Sequence, residues 1–380
     1  MAELGVLRKA DKTLIRSLIN LTEKTNGHVT LNQKQYLDFS SNDYLGLSNH
    51  PRLKKAAKNA IDSFGVGTGS SRLLSGNFDL NILLEETLAK LKGKEASLVF
   101  NSGYQTNLGV ISTLAANADV VFIDRYAHRS MVDAVLLAKV RFFRFNHNDL
   151  NHLKYLLQRE RGKFSRALII TESVFSMDGD LAPLPELVAL KNQFNCELFL
   201  DEAHATGIFG PTGAGLAELH QVSDQIEYQM GTFSKALGSF GGFLACSQKV
   251  RTELIQKSGS FIYSTSLPLS IIAANLASLG VIKSEPQRRE RLLQRALFFK
   301  NELSKIGFNS ESNSQIIPLI IGSNEASLSL SQKLRDYGYF VLPIRPPTVP
   351  EGTARLRFSL SYYHSKKDLV ALVKCLRNIF

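Results

Sequence analysis

The sequence predicts an α/β fold in which a large domain, built on a mainly parallel central sheet flanked by helices, precedes a smaller C-terminal α+β domain. Three observations carry this expectation. Strand-like apolar runs alternate with helix-length amphipathic segments through the middle of the chain. Those runs are rich in β-branched and aromatic residues and nearly continuous in hydrophobicity, as strands covered on both faces are. Beyond about Ile282 the texture changes to a charged stretch followed by shorter strand-like runs. A chain of 380 residues accommodates one large and one smaller domain.

Taken in order, residues 1–45 read as an N-terminal arm, with a helix over Leu14–Thr22 and then a hairpin-like stretch ending in LDFSSNDYLGL. The large domain, 46–281, carries strands at Ser97–Phe100, Val120–Asp124, Ala167–Ser173, Glu197–Glu202, Tyr228–Phe233 and Gly242–Ser247. The small domain, 282–380, begins with a charged helix over Glu285–Ile306. Strands in IIPLII and RLRFSLS follow, and a helix over Lys366–Asn378 closes the chain. Neither an internal repeat nor a low-complexity linker is present.

At 44% hydrophobic and 21% charged residues the composition is that of a globular protein and excludes disordered and fibrous classes. No apolar run approaches the roughly 18 residues of a membrane span, and MAELGVLRKADK lacks the apolar core of a signal peptide, so a cytoplasmic location is expected. The net charge of +11 raises nucleic acid as a partner. Its basic residues are nevertheless spread along the chain, and Arg288, Arg289, Arg291 and Arg295 alternate with glutamate and leucine as a solvated helix face does. The excess suits a phosphate-bearing cofactor and an anionic substrate. Cys196, Cys246 and Cys375 are far apart and read as reduced structural residues, and no metal site is expected.

Ligands of open α/β sheets bind outside the carboxyl ends of the strands. LDEAHATG, Leu200–Gly207, places Asp201 and His204 after one apolar run; TFSKALG, Thr232–Gly238, places Lys235 after another; Ser176 follows a third. A lysine and a carboxylate so placed are what pyridoxal 5'-phosphate (PLP) requires. Its aldehyde is held by a lysine as a Schiff base, and its ring nitrogen stays protonated beside a buried carboxylate. The phosphate cradle is expected in NSGYQTN, Asn101–Asn107, where free N–H groups open a helix after a strand. Gly103 and Tyr104 are the expected donors there, with a hydroxyl from Thr232, although an ordinary cap and turn fits that segment equally well on its own. His128, past the strand ending at Asp124, is a candidate to lie on the cofactor face. His204 is a candidate to fix Asp201 or the phenolic oxygen. The glycine-rich Phe64–Gly76 fails the dinucleotide and Walker spacings and reads as a loop lining the site. IRPPTVPEGTARLRFSLS stiffens three arginines with prolines, a pattern suited to carboxylates; Arg355 fits a surface strand as well, with Arg357 expected on the opposite face.

In SSNDYLGL, TESVFSMDGDLAPL, LDEAHATG, TFSKALGSFGG, IYSTSLP and IRPPTVPEGTARLRFSLS, taken together and in order over nearly the whole chain, the sequence resembles the α-oxoamine synthases, which are fold type I PLP-dependent transferases. The resemblance implies the following roles. Lys235 carries the cofactor and acts as base, Asp201 partners the ring nitrogen, and His128 stacks on the ring. Ser176 and His204 lie near the phenolic oxygen, and Gly103, Tyr104 and Thr232 bind the phosphate, with Thr265 reaching it across the interface of a homodimer. Asn42 and Arg357 hold the amino-acid carboxylate; Arg16, Arg345 and Thr348 face the acyl donor. The implied reaction is an acyltransferase condensation, with decarboxylation, of L-alanine and a pimeloyl thioester of coenzyme A or acyl carrier protein, in biotin biosynthesis. Arg345 favours that acyl chain, which ends in a carboxylate. Another member of the family, using glycine or serine or a different acyl group, stays open, as does a nucleic-acid-binding protein on an inactive fold of this type. Asn81 stands where the family commonly has histidine, a departure read as affecting loop packing.

Overall fold

The computed structural model describes residues 12–116 and 119–380, so the first eleven residues of the expected arm lie outside the described residues. The chain forms two compact units. Among the described residues, the larger comprises Leu45–Ser176 and Asp180–Glu290; the smaller comprises those up to Tyr44, Met177–Gly179 and Arg291–Phe380.

The larger unit is built on seven strands: β1 (Ala96–Phe100), β2 (Val120–Asp124), β3 (Arg141–Phe145), β4 (Ala167–Glu172), β5 (Glu197–Asp201), β6 (Tyr228–Thr232) and β7 (Gly242–Cys246). Their order is β1-β7-β6-β5-β4-β2-β3. β2 to β6 run parallel, and β7 is antiparallel to both β1 and β6. The six runs expected as strands all form strands, within one residue of the expected bounds, because a run apolar on both faces is buried only inside such a sheet. Leu98, Val121, Ile170, Phe199 and Leu244 sit in one core with Val110 and Ile111 of helix α1 (Gly103–Ala116) and Met131 of helix α2 (Arg129–Ala138). Each such side chain contributes roughly 1.5–3 kcal/mol on burial. β3 is the strand the sequence reading missed. RFFRF is half exposed, neither continuous nor alternating in hydrophobicity, and its arginines protect a sheet edge from further pairing.

The smaller unit starts with three antiparallel strands, Glu23–Thr25, His28–Leu31 and Lys34–Asp38, and Tyr339–Phe340 adds to the last in parallel. Asn26 and Gly27 turn the first hairpin at φ +47° and +79°, the pair of positive angles that Asn-Gly adopts most readily. A second, antiparallel sheet joins Ile316–Gly322, Ala354–Ser359 and Pro343–Ile344. Its core gathers Phe39, Phe358 and His364, the His364 ring stacked 4.1 Å from that of Phe39. Helices Gln287–Ser304 and Lys366–Ile379 lie within two residues of their expected bounds, the second opened by a Ser365–Asp368 capping box.

The helix expected over Leu14–Thr22 does not form. Only a short 3-10 turn, Lys12–Leu14, precedes an irregular stretch, with Leu18 97% exposed. A nine-residue segment with two isoleucines and a terminal threonine has poor helix propensity, and so short a helix needs a buried face. Here Ile19 packs against Val29, Tyr36 and Phe340 from that irregular stretch.

Candidate active site

The parallel strands bring the carboxyl ends of β2, β4, β5 and β6 to one edge of the sheet. A cavity of about 210 Å³ opens there, lined by Gly103, Tyr104, His128, Asp201, His204, Thr232 and Lys235 among others. Seven residues chosen from the sequence thus share one cavity. Lys235 Nζ lies 2.9 Å from His204 Nε2. Asp201 Oδ1 accepts the Ala203 N–H at 2.8 Å, which turns the chain sharply after β5, while Oδ2 accepts from Asn107 Nδ2 at 2.8 Å. At the other end, Ser102 caps α1 by accepting the Gln105 N–H at 3.2 Å, leaving the first-turn amides of Gly103 and Tyr104 without intrahelical acceptors. Gly103 packs closely on β6, where an added Cβ would meet Met230 Cε at 3.0 Å. Thr232 Oγ1 donates to or accepts from Ser234 Oγ at 2.8 Å beside it.

Among the lining residues that were not singled out from the sequence are three that carry polar chemistry into the cavity, Asn107, Ser130 and Glu172. Asn107 stands one helical turn after Gly103 and therefore on the same face of α1, but its partners Ser130 and Asp201 come from elsewhere in the fold. Ser130 lies in the first turn of α2, where His128 is the N-cap and accepts the Ser130 N–H. Glu172 ends β4 in register with Asp201 at the end of β5. Burial and then the Asp201 charge raise the Glu172 carboxyl well above the usual carboxylate range, with the Lys235 charge opposing them. Burial lowers the His128 imidazole, the Asp201 charge opposes this, and Lys235 reinforces it, favouring the neutral ring. Next to Asp201, Glu202 is held by Lys92 at 2.6 Å with both side chains fully buried, and Lys92 Nζ also donates to Thr206 Oγ1 at 3.0 Å. This pair anchors the loop that carries His204.

The remaining expected residues lie elsewhere. Ser176 is half-buried and outside this cavity lining. Thr265 is exposed; its carbonyl accepts from Asn101 Nδ2 at 2.8 Å and its backbone bridges Ser71. That bridge occupies the glycine-rich segment Phe64–Gly76, which docks on Thr265 and Ser266 and does not line the 210 Å³ cavity as expected. The other candidates belong to the smaller unit. There Arg357 donates to Asn42 Oδ1 at 3.1 Å, to Ser359 Oγ at 2.6 Å and to the Tyr44 hydroxyl at 3.1 Å. Arg16 donates to Thr348 Oγ1 at 3.0 Å, and both line a cavity of about 670 Å³ with Arg345, Lys24 and Arg335. Arg355 is buried and paired with Asp178. It does not face away from Arg357, since residues two apart on one strand share a face.

The residues of the 210 Å³ cavity fit PLP. Helix-terminal amides and hydroxyls match its phosphate, the Lys235 amine its aldehyde, and the Asp201 carboxylate its ring N–H. The profile of the family "Aminotransferase class I and II" matches residues 34–376. Among curated proteins, 8-amino-7-oxononanoate synthase of Geobacter sulfurreducens is 46% identical over 99% of this chain and 96% of its own. The Geotalea daltonii protein of the same name is 44% identical over the same shares, 99% and 96%. Among solved structures, a serine palmitoyltransferase variant of S. paucimobilis with a bound PLP–myriocin aldimine superposes with TM-score 0.91 at 30% identity, covering 94% of this chain and 92% of that one. The 8-amino-7-oxononanoate synthase of Francisella tularensis superposes with TM-score 0.79 at 27% identity, covering 90% and 97%. With a profile spanning most of its length and relatives matching it end to end, the chain belongs to the PLP-dependent aminotransferase class I and II family, and within it to the group of the 8-amino-7-oxononanoate synthases.

Proposed function

We propose that this protein condenses L-alanine with a pimeloyl thioester, carried on coenzyme A or acyl carrier protein, to give 8-amino-7-oxononanoate, carbon dioxide and the free thiol. The observation that carries the chemistry is the meeting of Lys235, His204, Asp201 and the start of α1 around one cavity. The name shared by end-to-end relatives at 46% and 44% identity supports the substrates. When bound, PLP supplies an aldehyde that condenses with amines and a protonated ring that withdraws electrons from bonds at the amino-acid Cα. Lys235 holds the aldehyde through Nζ. Once free, the same Nζ would be the base for the alanine Cα proton, with His204 Nε2 at 2.9 Å as its proton partner. Asp201 keeps the ring N–H in place, and His128 covers the ring face. Gly103, Tyr104 and Thr232 hold the phosphate, and Ser176 is assigned to the phenolic oxygen.

Arg357 and Asn42 are assigned to the alanine carboxylate, and Arg16, Arg345 and Thr348 to the acyl donor; the cationic lining of the 670 Å³ cavity supports that choice. A homodimer, in which Thr265 of a second copy meets the phosphate, is supported by exposed Val66, Leu73, Leu74 and Tyr263 around Thr265. Free thiols at all three cysteines suit a cytoplasmic location, and among the described residues no helix is long and apolar enough to cross a membrane. The test is turnover with L-alanine, glycine and L-serine against a panel of acyl thioesters in both carrier forms. Alanine with a pimeloyl thioester is expected to be preferred, and its failure to react would sink this reading.

A further inference from the structure

Four polar side chains form an unbroken chain along the back of the 210 Å³ cavity. Asn107 Nδ2 donates to Asp201 Oδ2 at 2.8 Å and to Ser130 Oγ at 3.0 Å, and Ser130 Oγ lies 2.7 Å from His128 Nδ1. Asn107 and Ser130 are 2% and 0% exposed, so the bonds Asn107 makes to Asp201 and Ser130 are shielded from solvent. Each proton can be placed. The side-chain amide must turn its NH2 toward Asp201, because its carbonyl oxygen would face a carboxylate oxygen, and this fixes which atom faces Ser130. The two protons of Nδ2 are then spent on Asp201 and Ser130. Having accepted one, the Ser130 hydroxyl has a single proton of its own, and Nδ1 of His128 is the acceptor next to it. A second donor converges on the same nitrogen, since the Ser130 backbone N–H points at Nδ1 at 3.3 Å and cannot act as anything but a donor.

We propose that Asn107 and Ser130 are positioning residues that fix His128 as the tautomer with its proton on Nε2, so that a defined N–H donor is presented to an acceptor oxygen of the molecule bound in the cavity. Nε2 of that ring has no partner among the described residues and is left to face the cavity. The same amide fixes one oxygen of Asp201, so the group that meets the cofactor ring nitrogen and the group that covers its face are set by a single residue of α1. This assignment rests on reading the cavity as the PLP site, but the tautomer is a property of the protein alone.

The experiment is therefore run first without cofactor. Long-range proton–nitrogen correlation spectra of protein labelled with ¹⁵N histidine, with His128 assigned through His128→Gln, report which ring nitrogen carries the proton. The expected wild-type result is Nε2–H at neutral pH. Ser130→Ala, which removes only a hydroxyl, and Asn107→Leu, which removes both amide donors, are expected to bring Nδ1–H into the population. Asn107→Leu is also expected to weaken PLP retention about 10- to 100-fold, the loss that follows removal of a hydrogen bond to a charged group. An Nδ1–H ring in the wild-type protein, or a ring unchanged in both variants, would overturn the proposal. If the wild-type ring is Nε2–H and responds to both variants while PLP does not bind, the positioning network stands and the cofactor reading falls.

Discussion

Lys235 and Lys92 show how differently one residue type is used within the larger unit. Lys235 is half-buried at the cavity wall against His204, where an amine can react. Lys92 is sealed in the interior against Glu202, both fully buried, where it can only hold a charge in place. Lys235→Ala is expected to abolish turnover and the visible absorbance of bound cofactor while leaving thermal stability in its absence unchanged; a spectrum and a melting curve check both. Lys92→Met is expected to do the reverse to stability. It strands a buried carboxylate, at a cost of about 3–5 kcal/mol. Removing both charges in Lys92→Met/Glu202→Leu should recover most of that loss, read as the midpoint of urea unfolding.

At the scale of elements, the turns after the strands decide what reaches the cavity. Just after Lys235, Gly238 has φ +63°, and a Cβ there would lie 2.4 Å from the Ser48 N and 2.5 Å from the Leu47 carbonyl carbon. Gly238→Ala therefore combines a left-handed backbone, costing roughly 1–2 kcal/mol, with a collision against main chain that cannot move aside cheaply. It is expected to lower the unfolding midpoint and cofactor affinity together. Gly162→Ala, where nothing stands within 4 Å of the added Cβ, should change stability by less than about 0.5 kcal/mol. Elements were legible in the sequence where one physical signal dominated. The six apolar runs had only one way to be buried, and the Asn-Gly hairpin a preferred turn. The Leu14–Thr22 stretch and edge strand β3 had no such signal, since exposed arginines in one and isoleucines in the other fit two conformations each.

For the whole molecule, two histidines set opposite limits on the pH range of stability. His147 lies between Asp124 and Asp180 at 3.1 and 2.8 Å and stacks on Tyr126 at 4.5 Å. Burial disfavours its charge, but the hydrogen bonds and charges of the two aspartates prevail and push it up to about 10. Its contribution is fully present below the unfolded value near 6.5 and is lost as pH rises through about 10. His364, buried over Phe39 and accepting the Ser361 N–H at 3.1 Å, is lowered to about 4 by burial. The unfolded chain binds that proton first, so stability falls as pH drops from about 6.5 toward 4. Chemical denaturation from pH 4 to 10 is expected to give a curve declining at both ends. His147→Gln should flatten the alkaline limb and His364→Gln the acid limb, and a variant that leaves its limb unchanged would refute that assignment.

The sequence by itself determined the parallel sheet, the strand ends that carry Asp201, His204 and Lys235, and the start of α1, because hydrophobic continuity and local chain chemistry are properties of contiguous residues. Only the tertiary structure decided that Asn107, Ser130 and Glu172 join them. Those three are polar residues whose meaning lies in a partner 23 to 94 positions away, Asn107 reaching both Ser130 and Asp201. No periodicity encodes such a distance; the register of β4 against β5 and the packing of α1 and α2 on the sheet create it.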